Sequence, residues 1–241
     1  VRVAVTGANG LVGGDAVALL SVRHDVLALG RGPCRIPRGP HRHADADLGD
    51  GRSVEAALRD FRPDAVLHAG AMTDVDGCER EPEAARRVNV GGTEQVARAC
   101  RDLGARLVAV STDYVFDGEA GPYREEDAPN PRGAYAISKH QGELRALALV
   151  PDCAVARVAV VFSGRPGAKP TFATQVVEKL CRGEPVKAFS DQLVSPTLAA
   201  NGAAMLGELL LETATAASCT CRAPRCSTGW TSPGAWRRGS A

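Results

Sequence analysis

Val1-Arg2-Val3-Ala4-Val5-Thr6-Gly7-Ala8-Asn9-Gly10-Leu11-Val12-Gly13 is an apolar strand that runs straight into glycines at positions 7, 10 and 13. An apolar helix pattern, Ala16 to Leu20, follows. A strand, a turn free of Cβ atoms and a helix N-terminus, in that order, let backbone amides approach a diphosphate. A glycine turn by itself is also an ordinary strand–helix connection, so the reading depends on what lies downstream.

Downstream, the apolar run Leu107 to Val110 ends in Ser111-Thr112-Asp113-Tyr114-Val115-Phe116-Asp117-Gly118, and Tyr135-Ala136-Ile137-Ser138-Lys139 follows. Positions i and i+4 share one helix face, so Tyr135 and Lys139 are expected side by side. A free phenol titrates near 10, and proton transfer near neutrality asks for a fall of roughly three units, about 4 kcal/mol. A unit charge ~4 Å away at an effective dielectric of ~20 supplies that order. The glycine turn and the Thr/Tyr/Lys set together predict a dinucleotide-dependent oxidoreductase in which Tyr135 moves a proton.

Strand-like runs recur at Arg2 to Val5, Val26 to Leu29, Ala65 to His68, Leu107 to Val110 and Val155 to Phe162. Helical patterns occupy Ala16 to Leu20, Val54 to Asp60, Glu83 to Arg101 and Ala134 to Leu149, with Pro131 suited to the entrance of the last. This alternation predicts an α/β fold, a doubly wound parallel sheet covered on both faces. Residues 1–162 form the dinucleotide-binding domain. Residues 163–212, with a helix at Phe172 to Cys181, form a small, incomplete substrate lobe.

The chain has 241 residues, 44% hydrophobic, enough for one substantial core. The net charge of +1 with interspersed signs offers nothing to nucleic acid or to a membrane surface. No apolar run approaches the ~20 residues of a spanning helix. Because the text opens on a cofactor strand, no leader and a cytoplasmic location are expected. The cysteines at 34, 78, 100, 153 and 181 lack metal spacing and read as reduced thiols, and no metal site is expected.

These motifs resemble the extended short-chain dehydrogenase/reductase superfamily and, within it, the dTDP-4-dehydrorhamnose reductase family. The likeness runs from residue 1 to about 212. It rests on the glycine turn, His68 to Thr73 with Asp76 and Glu79, Val88-Asn89-Val90, Ser111 to Gly118, and Pro122-Tyr123 with Glu125 and Asp127. It continues through Tyr135 and Lys139 with Gly142-Glu143, then Asp191-Gln192 ahead of Ser195-Pro196-Thr197. The resemblance implies a Rossmann-like fold and reduction of a nucleotide-linked 4-keto-6-deoxy sugar in dTDP-L-rhamnose biosynthesis. Tyr135 would protonate the C4 oxygen, Lys139 would lower the phenol pKa and hold the nicotinamide ribose, and Thr112 would hold the carbonyl oxygen. Asp113, Tyr114 and Val160 would face the sugar, Val160 standing where family members commonly carry tryptophan. Gly7, Asn9, Gly10, Leu11, Val12 and Gly13 would cradle the cofactor, Asp47 and Leu48 the adenine, and Ala71, Met72 and Thr73 the nicotinamide ribose. Asn89 is expected to organise backbone. Gly30-Arg31, where an acidic residue would bind NAD, favours NADPH over NADH. Two other roles share the motifs: a dinucleotide-binding regulatory subunit of methionine adenosyltransferase, and a nucleotide-sugar epimerase or dehydratase. A homodimer stays open.

From Thr213 to Ala241 the text changes. Its 29 residues hold no Asp or Glu, both tryptophans and three of the eight cysteines. Apolar periodicity is gone, which reads as a disordered basic tail or, more consistently with the family length, as out-of-frame text.

Overall fold

A computed structural model describes residues 1–211 except 38, 166, 189 and 191. The expected irregular tail at 213–241 and Asp191 of the Asp191-Gln192 pair therefore lie outside the described residues. The chain runs β1 (Arg2–Thr6), α1 (Leu11–Leu20), β2 (Asp25–Gly30), β3 (Arg42–Asp45), α2 (Gly51–Phe61) and β4 (Ala65–His68). It continues with α3 (Val75–Arg80), α4 (Pro82–Arg86), a π-helical segment (Arg87–Gly92), α5 (Thr93–Leu103), β5 (Arg106–Thr112) and a 3₁₀ turn (Asp113–Val115). Last come α6 (Gly133–Leu149), β6 (Ala154–Val158), β7 (Val161–Phe162), α7 (Phe172–Cys181), β8 (Thr197–Leu198) and α8 (Ala199–Leu211).

The first six strands form one sheet in the order β3-β2-β1-β4-β5-β6, every pair parallel. The expected doubly wound, Rossmann-like architecture is present. Because β1 lies between β2 and β4, the winding reverses there, and a crevice opens beyond the carboxyl ends of these strands.

Side-chain alternation along the strands builds two cores. Ala4, Leu27, Leu29, Val66, Leu107 and Val155 face α2, α5 and α6 with Val54, Leu58 and Val96. Val3, Val5, Val26, Ala28, Leu67 and Val108 face the opposite side with Val17 and Leu20 of α1. Ala203, Leu206 and Leu210 of α8 join that second core. The last helix of the segment assigned on sequence to the lobe thus packs on the sheet domain, because its small and branched residues fill the space beside α1. What stands apart from the sheet is the two-stranded pairing of β7 with β8, and α7, which has no buried residue.

Three details depart from the sequence expectation. The run Val155 to Phe162 is broken after Val158, where the chain leaves the main sheet for the small one. The helix expected over Glu83 to Arg101 is present but carries the π-helical segment in its middle, a feature frequent at functional sites. β3 was not anticipated, since Arg42-His43-Ala44-Asp45 is a polar edge strand with no apolar alternation. No helix among the described residues is long and apolar enough to cross a membrane.

If α8 belongs to the sheet core, Leu206→Ala should cost about 2–5 kcal/mol, the price of a buried leucine cavity. Urea unfolding measures it. A loss below about 0.5 kcal/mol would place the helix outside the cooperative core.

Candidate active site

The expected site residues collect at the carboxyl edge of the sheet. Gly7 follows β1 with φ +66°, and a Cβ there would stand 2.5 Å from Gly70 Cα. At Gly13 a Cβ would stand 2.3 Å from Gly7 O. These contacts fold the turn tightly under the first turn of α1. Gly10, at the N-cap, offers no side-chain oxygen, and the N–H groups of Leu11, Val12 and Gly13 find no protein acceptor among the described residues. Open amides at a helix N-terminus suit an anion, so the cradle fits the diphosphate of a dinucleotide.

A cleft of ≈ 620 Å³ continues from this turn, lined by Gly7, Gly30, Arg31, Asp47, Leu48, Ala71 and Met72 among others. Thr73 follows on the exposed side of the same loop. Asn9, expected to touch cofactor, braces the loop after β2. Its Nδ2 donates to the Arg31 and Pro33 carbonyls at 3.1 Å each, and its Oδ1 accepts from Arg35 N at 2.8 Å. A Cβ on Gly30 would meet Asn9 Nδ2 at 3.1 Å. An acidic side chain at position 30 would therefore press on this brace, which gives the Gly30-Arg31 pair a steric reason. Arg87, in the π-helical segment, also lines the cleft and was not singled out in the sequence. Its only sequence signal was its place next to Val88-Asn89-Val90.

Two buried polar groups tie these pieces together. His68, 1% exposed, bonds Thr6 Oγ1 through Nδ1 at 2.7 Å and Thr93 Oγ1 through Nε2 at 2.9 Å. Thr93 donates its hydroxyl to Asn89 O at 2.7 Å and Thr6 accepts from Gly70 N at 3.3 Å, so the tautomer follows. Nε2 carries the proton and Nδ1 accepts. Burial, helped by the Lys139 charge, pushes His68 down to about 3. Asn89 organises backbone as expected: Oδ1 accepts from Met72 N at 2.8 Å, and Nδ2 donates to Met72 O and Ser138 Oγ.

On α6, residues one turn apart make a ladder against β5 and β6. The Tyr135 phenol neighbours the Thr112 hydroxyl, which donates to Asp113 Oδ1 at 3.2 Å, and the Tyr114 ring meets Tyr135 edge-on at 5.9 Å. Lys139 Nζ donates to Val110 O at 2.9 Å. Glu143 takes both Nε and Nη2 of Arg157 at 3.0 and 2.7 Å, with both side chains almost fully buried. Arg157 in turn lies 5.1 Å above the Phe116 ring, which stacks on Tyr123. The Asp117 carboxylate accepts from Tyr123 Oη and Asn130 Nδ2, pulling it down to about 2 and knotting the loop beside the site.

The electrostatics correct one expectation. Tyr135 is not lowered: burial pushes the phenol up to about 12, and the Lys139 ammonium sits on a carbonyl rather than on the phenol. Burial likewise lowers Lys139 to about 8, opposed by the Glu143 charge. Burial raises Asp113, against the Thr112 hydroxyl and two backbone amides. Burial also raises Glu143, but the Arg157 guanidinium together with the Ser111 and His140 side chains more than cancels it, and the group ends below the usual carboxylate range. Val160, half-buried beyond β6, adopts φ +37°, the left-handed region where a β-branched residue is strained. Among the described residues no group of three or more His, Cys, Asp or Glu could hold a metal ion.

A sheet of this winding, entered by a glycine turn and flanked by a Tyr/Lys helix, is the short-chain dehydrogenase/reductase architecture. Within that class the chain belongs to the family described as the RmlD substrate binding domain, which matches residues 1–222. A dTDP-4-dehydrorhamnose reductase of Streptomyces griseus is 37% identical over 208 residues, 85% of this chain and 64% of that protein. The chain therefore spans about 64% of the length of this curated relative. A crystal structure of dTDP-4-dehydrorhamnose reductase from Bacillus anthracis in complex with NADP superimposes with a TM-score of 0.75 at 28% identity. That match covers 86% of this chain and 70% of that one. Methionine adenosyltransferase 2 subunit beta of Bos taurus is 36% identical over 161 residues, 67% of this chain and 47% of that protein.

His68 sets an acid limit on the fold. Its folded pKa lies far below the unfolded value, so the unfolded chain binds the extra proton between about pH 6.5 and 3 and stability falls as pH falls. From pH 6.5 to 4.5 the parent should lose about 2 kcal/mol more than His68→Gln, read from urea midpoints. Parallel pH profiles would show that the imidazole is not the group responsible.

Proposed function

We propose that this chain carries the cofactor and catalytic part of an NADPH-dependent reductase acting on a nucleotide-linked 4-keto-6-deoxy sugar, of the dTDP-4-dehydrorhamnose reductase type. Its place would be the cytoplasm. The supporting observation is the grouping of the Tyr135 phenol near Thr112 with the buried Lys139 ammonium one helical turn away, at the same sheet edge as a cleft lined by Gly30 and Arg31. The glycine turn and Arg31 would hold the dinucleotide, which would supply hydride for the sugar C4. Tyr135 donates its proton to the C4 oxygen, and the C=O π pair becomes the new O–H bond. A phenol near 12 is protonated at neutral pH, the state a donor needs. Lys139 stabilises the phenolate that the transfer leaves behind, while Thr112 holds the oxygen by hydrogen bonding. Asp113, Tyr114 and Val160 would border the sugar.

Arg31, exposed at the cleft, would pair with the 2′-phosphate that distinguishes NADPH from NADH. Arg87 would lie on the adenosine side of the same cleft. A complete Thr112/Tyr135/Lys139 set favours turnover over a purely regulatory role. Dinucleotide binding without any turnover, together with co-purification of a methionine adenosyltransferase catalytic subunit, would favour the regulatory role instead.

Tyr135→Phe should keep NADPH binding and lower turnover of a dTDP-4-keto sugar by about 10²–10⁴-fold; turnover within threefold of the parent removes Tyr135 from the reaction. Charged Lys139 is required, so activity should fall as pH rises through about 8. Glu143→Gln deletes the charge that holds the ammonium up, and the alkaline limb should move to lower pH. A limb that stays in place would detach Glu143 from the titration. For the cofactor, NADPH should bind more tightly than NADH, with Arg31→Ala narrowing the gap about ten- to hundredfold. Equal affinities in the parent, by calorimetry, would refute the assignment.

A further inference from the structure

Gly7, Gly10 and Gly13 are explained by the turn itself, but Gly14 is not. It sits inside α1 with no left-handed φ, where glycine costs roughly 1 kcal/mol relative to alanine. A Cβ at this position would stand 2.4 Å from Arg165 Nη2 and 2.8 Å from its Cζ. The missing side chain makes room for a guanidinium that arrives from the far side of β7.

Arg165 is held there firmly. Nε donates to Asp15 Oδ1 at 2.7 Å and Nη2 to Gly10 O at 3.0 Å, while Ser163 Oγ donates to Asp15 Oδ2 at 3.5 Å and accepts from Arg165 N at 3.1 Å. Both charged side chains are only 12% exposed. A guanidinium has five donors, and those beyond these two bonds take no protein acceptor among the described residues. They lie at the same first turn whose Leu11, Val12 and Gly13 amides are open. Gly10 O already accepts from Gly14 N at 3.1 Å, so satisfying that carbonyl does not by itself call for an arginine.

We infer that Arg165 is a second contact for the dinucleotide diphosphate, brought from the segment after β7 rather than from the sheet domain. This rests on the dinucleotide reading given above. Asp15 fixes the guanidinium plane and offsets part of its charge, and Gly14 admits it to the turn. The diphosphate then meets amides from one side and a cation from the other, as charge-assisted recognition favours. Because Arg165 follows β7, cofactor binding and placement of the sugar-side segment become linked: a bound diphosphate holds the segment that leads to α7.

The test compares two ligands by calorimetry. NADP⁺ carries the diphosphate, whereas adenosine 2′-monophosphate carries only the 2′-phosphate. Arg165→Met should weaken NADP⁺ about tenfold and leave adenosine 2′-monophosphate within twofold. Arg165→Lys should recover part of the loss. Gly14→Ala, which pushes the guanidinium out of the turn, should reproduce the Arg165→Met pattern. Arg31→Ala should instead weaken both ligands. Hydrogen exchange should also show NADP⁺ protecting α7 in the parent and not in Arg165→Met. An NADP⁺ affinity within twofold of the parent in Arg165→Met overturns the inference, and so does an equal loss of both ligands in the methionine and lysine variants, which would make Arg165 a folding residue. A parent that binds no NADP⁺ overturns the dinucleotide reading and this contact with it; a parent that binds well beside an unaffected Arg165→Met overturns this contact alone.

Discussion

The site depends on two backbones touching. Gly7 at the end of β1 and Gly70 just past β4 lie so close that a single Cβ on Gly7 would fall 2.5 Å from the Gly70 Cα. This contact spans the point where the sheet reverses its winding, so it fixes the width of the crevice on which the cofactor side depends. His68 locks the same junction from beneath. Its two ring nitrogens join Thr6, immediately before Gly7, to Thr93 on the helix that carries Asn89. Asn89 then holds Met72 and Ser138, and Ser138 sits between Tyr135 and Lys139 on α6. An unbroken set of hydrogen bonds thus runs from the glycine turn to α6. Thr6, His68, Thr93, Asn89 and Ser138 are all buried, and removing one strands its partner at a cost of about 1–3 kcal/mol.

The Arg157–Glu143 pair serves placement rather than net stability. Burying two charges costs several kcal/mol per ion, and a well-packed apolar pair often does as well, whereas breaking one partner costs about 3–5 kcal/mol. The return here is geometric. Glu143 is two turns from Tyr135 on α6, and Arg157 is paired in register with Ser111 of β5. The bidentate fork therefore fixes the helix against the strand end that carries Thr112. At the other end of α6, Glu79 of α3 accepts from Ala134 N at 2.6 Å and supplies the cap that Arg132 does not. Tyr135 lies between a cap and an ion pair and has little freedom to turn.

Much of this was legible in the sequence, for an identifiable reason. Glycine positions, the i/i+4 Tyr/Lys spacing and the parallel βα alternation are local patterns, and each predicts local geometry that the sheet then preserves. Residues whose roles depend on distant partners were not legible. Asn9 was expected in the cofactor cradle, and that its amide braces a loop more than twenty positions away had no local signal. Nothing near Arg165 in sequence points to Gly14, and nothing in Arg42-His43-Ala44-Asp45 marks an edge strand. Titration was misjudged for the same cause. Spacing places Lys139 beside Tyr135, but only the fold reveals that burial raises the phenol and that Val110 O takes the ammonium.

The end of β6 shows how the main sheet hands the chain to the small β7–β8 pair. β6 stays in register with β5 through Val158, opposite Thr112. Two residues later Val160 turns left-handed, its carbonyl accepts Thr197 N at 3.2 Å, and β7 pairs with β8. A valine held at positive φ costs of order 1–3 kcal/mol, so the surrounding contacts must over-determine it. They include the β7–β8 pairing on one side and the Arg165–Asp15 clasp on α1 just beyond it. Strain at Val160 is thus sustained by contacts reaching both the Ser195-Pro196-Thr197 element and the glycine turn. A glycine at 160 would remove the strain and leave in place the contacts that turn the chain there, so the exit from the sheet is set by those contacts rather than by the valine.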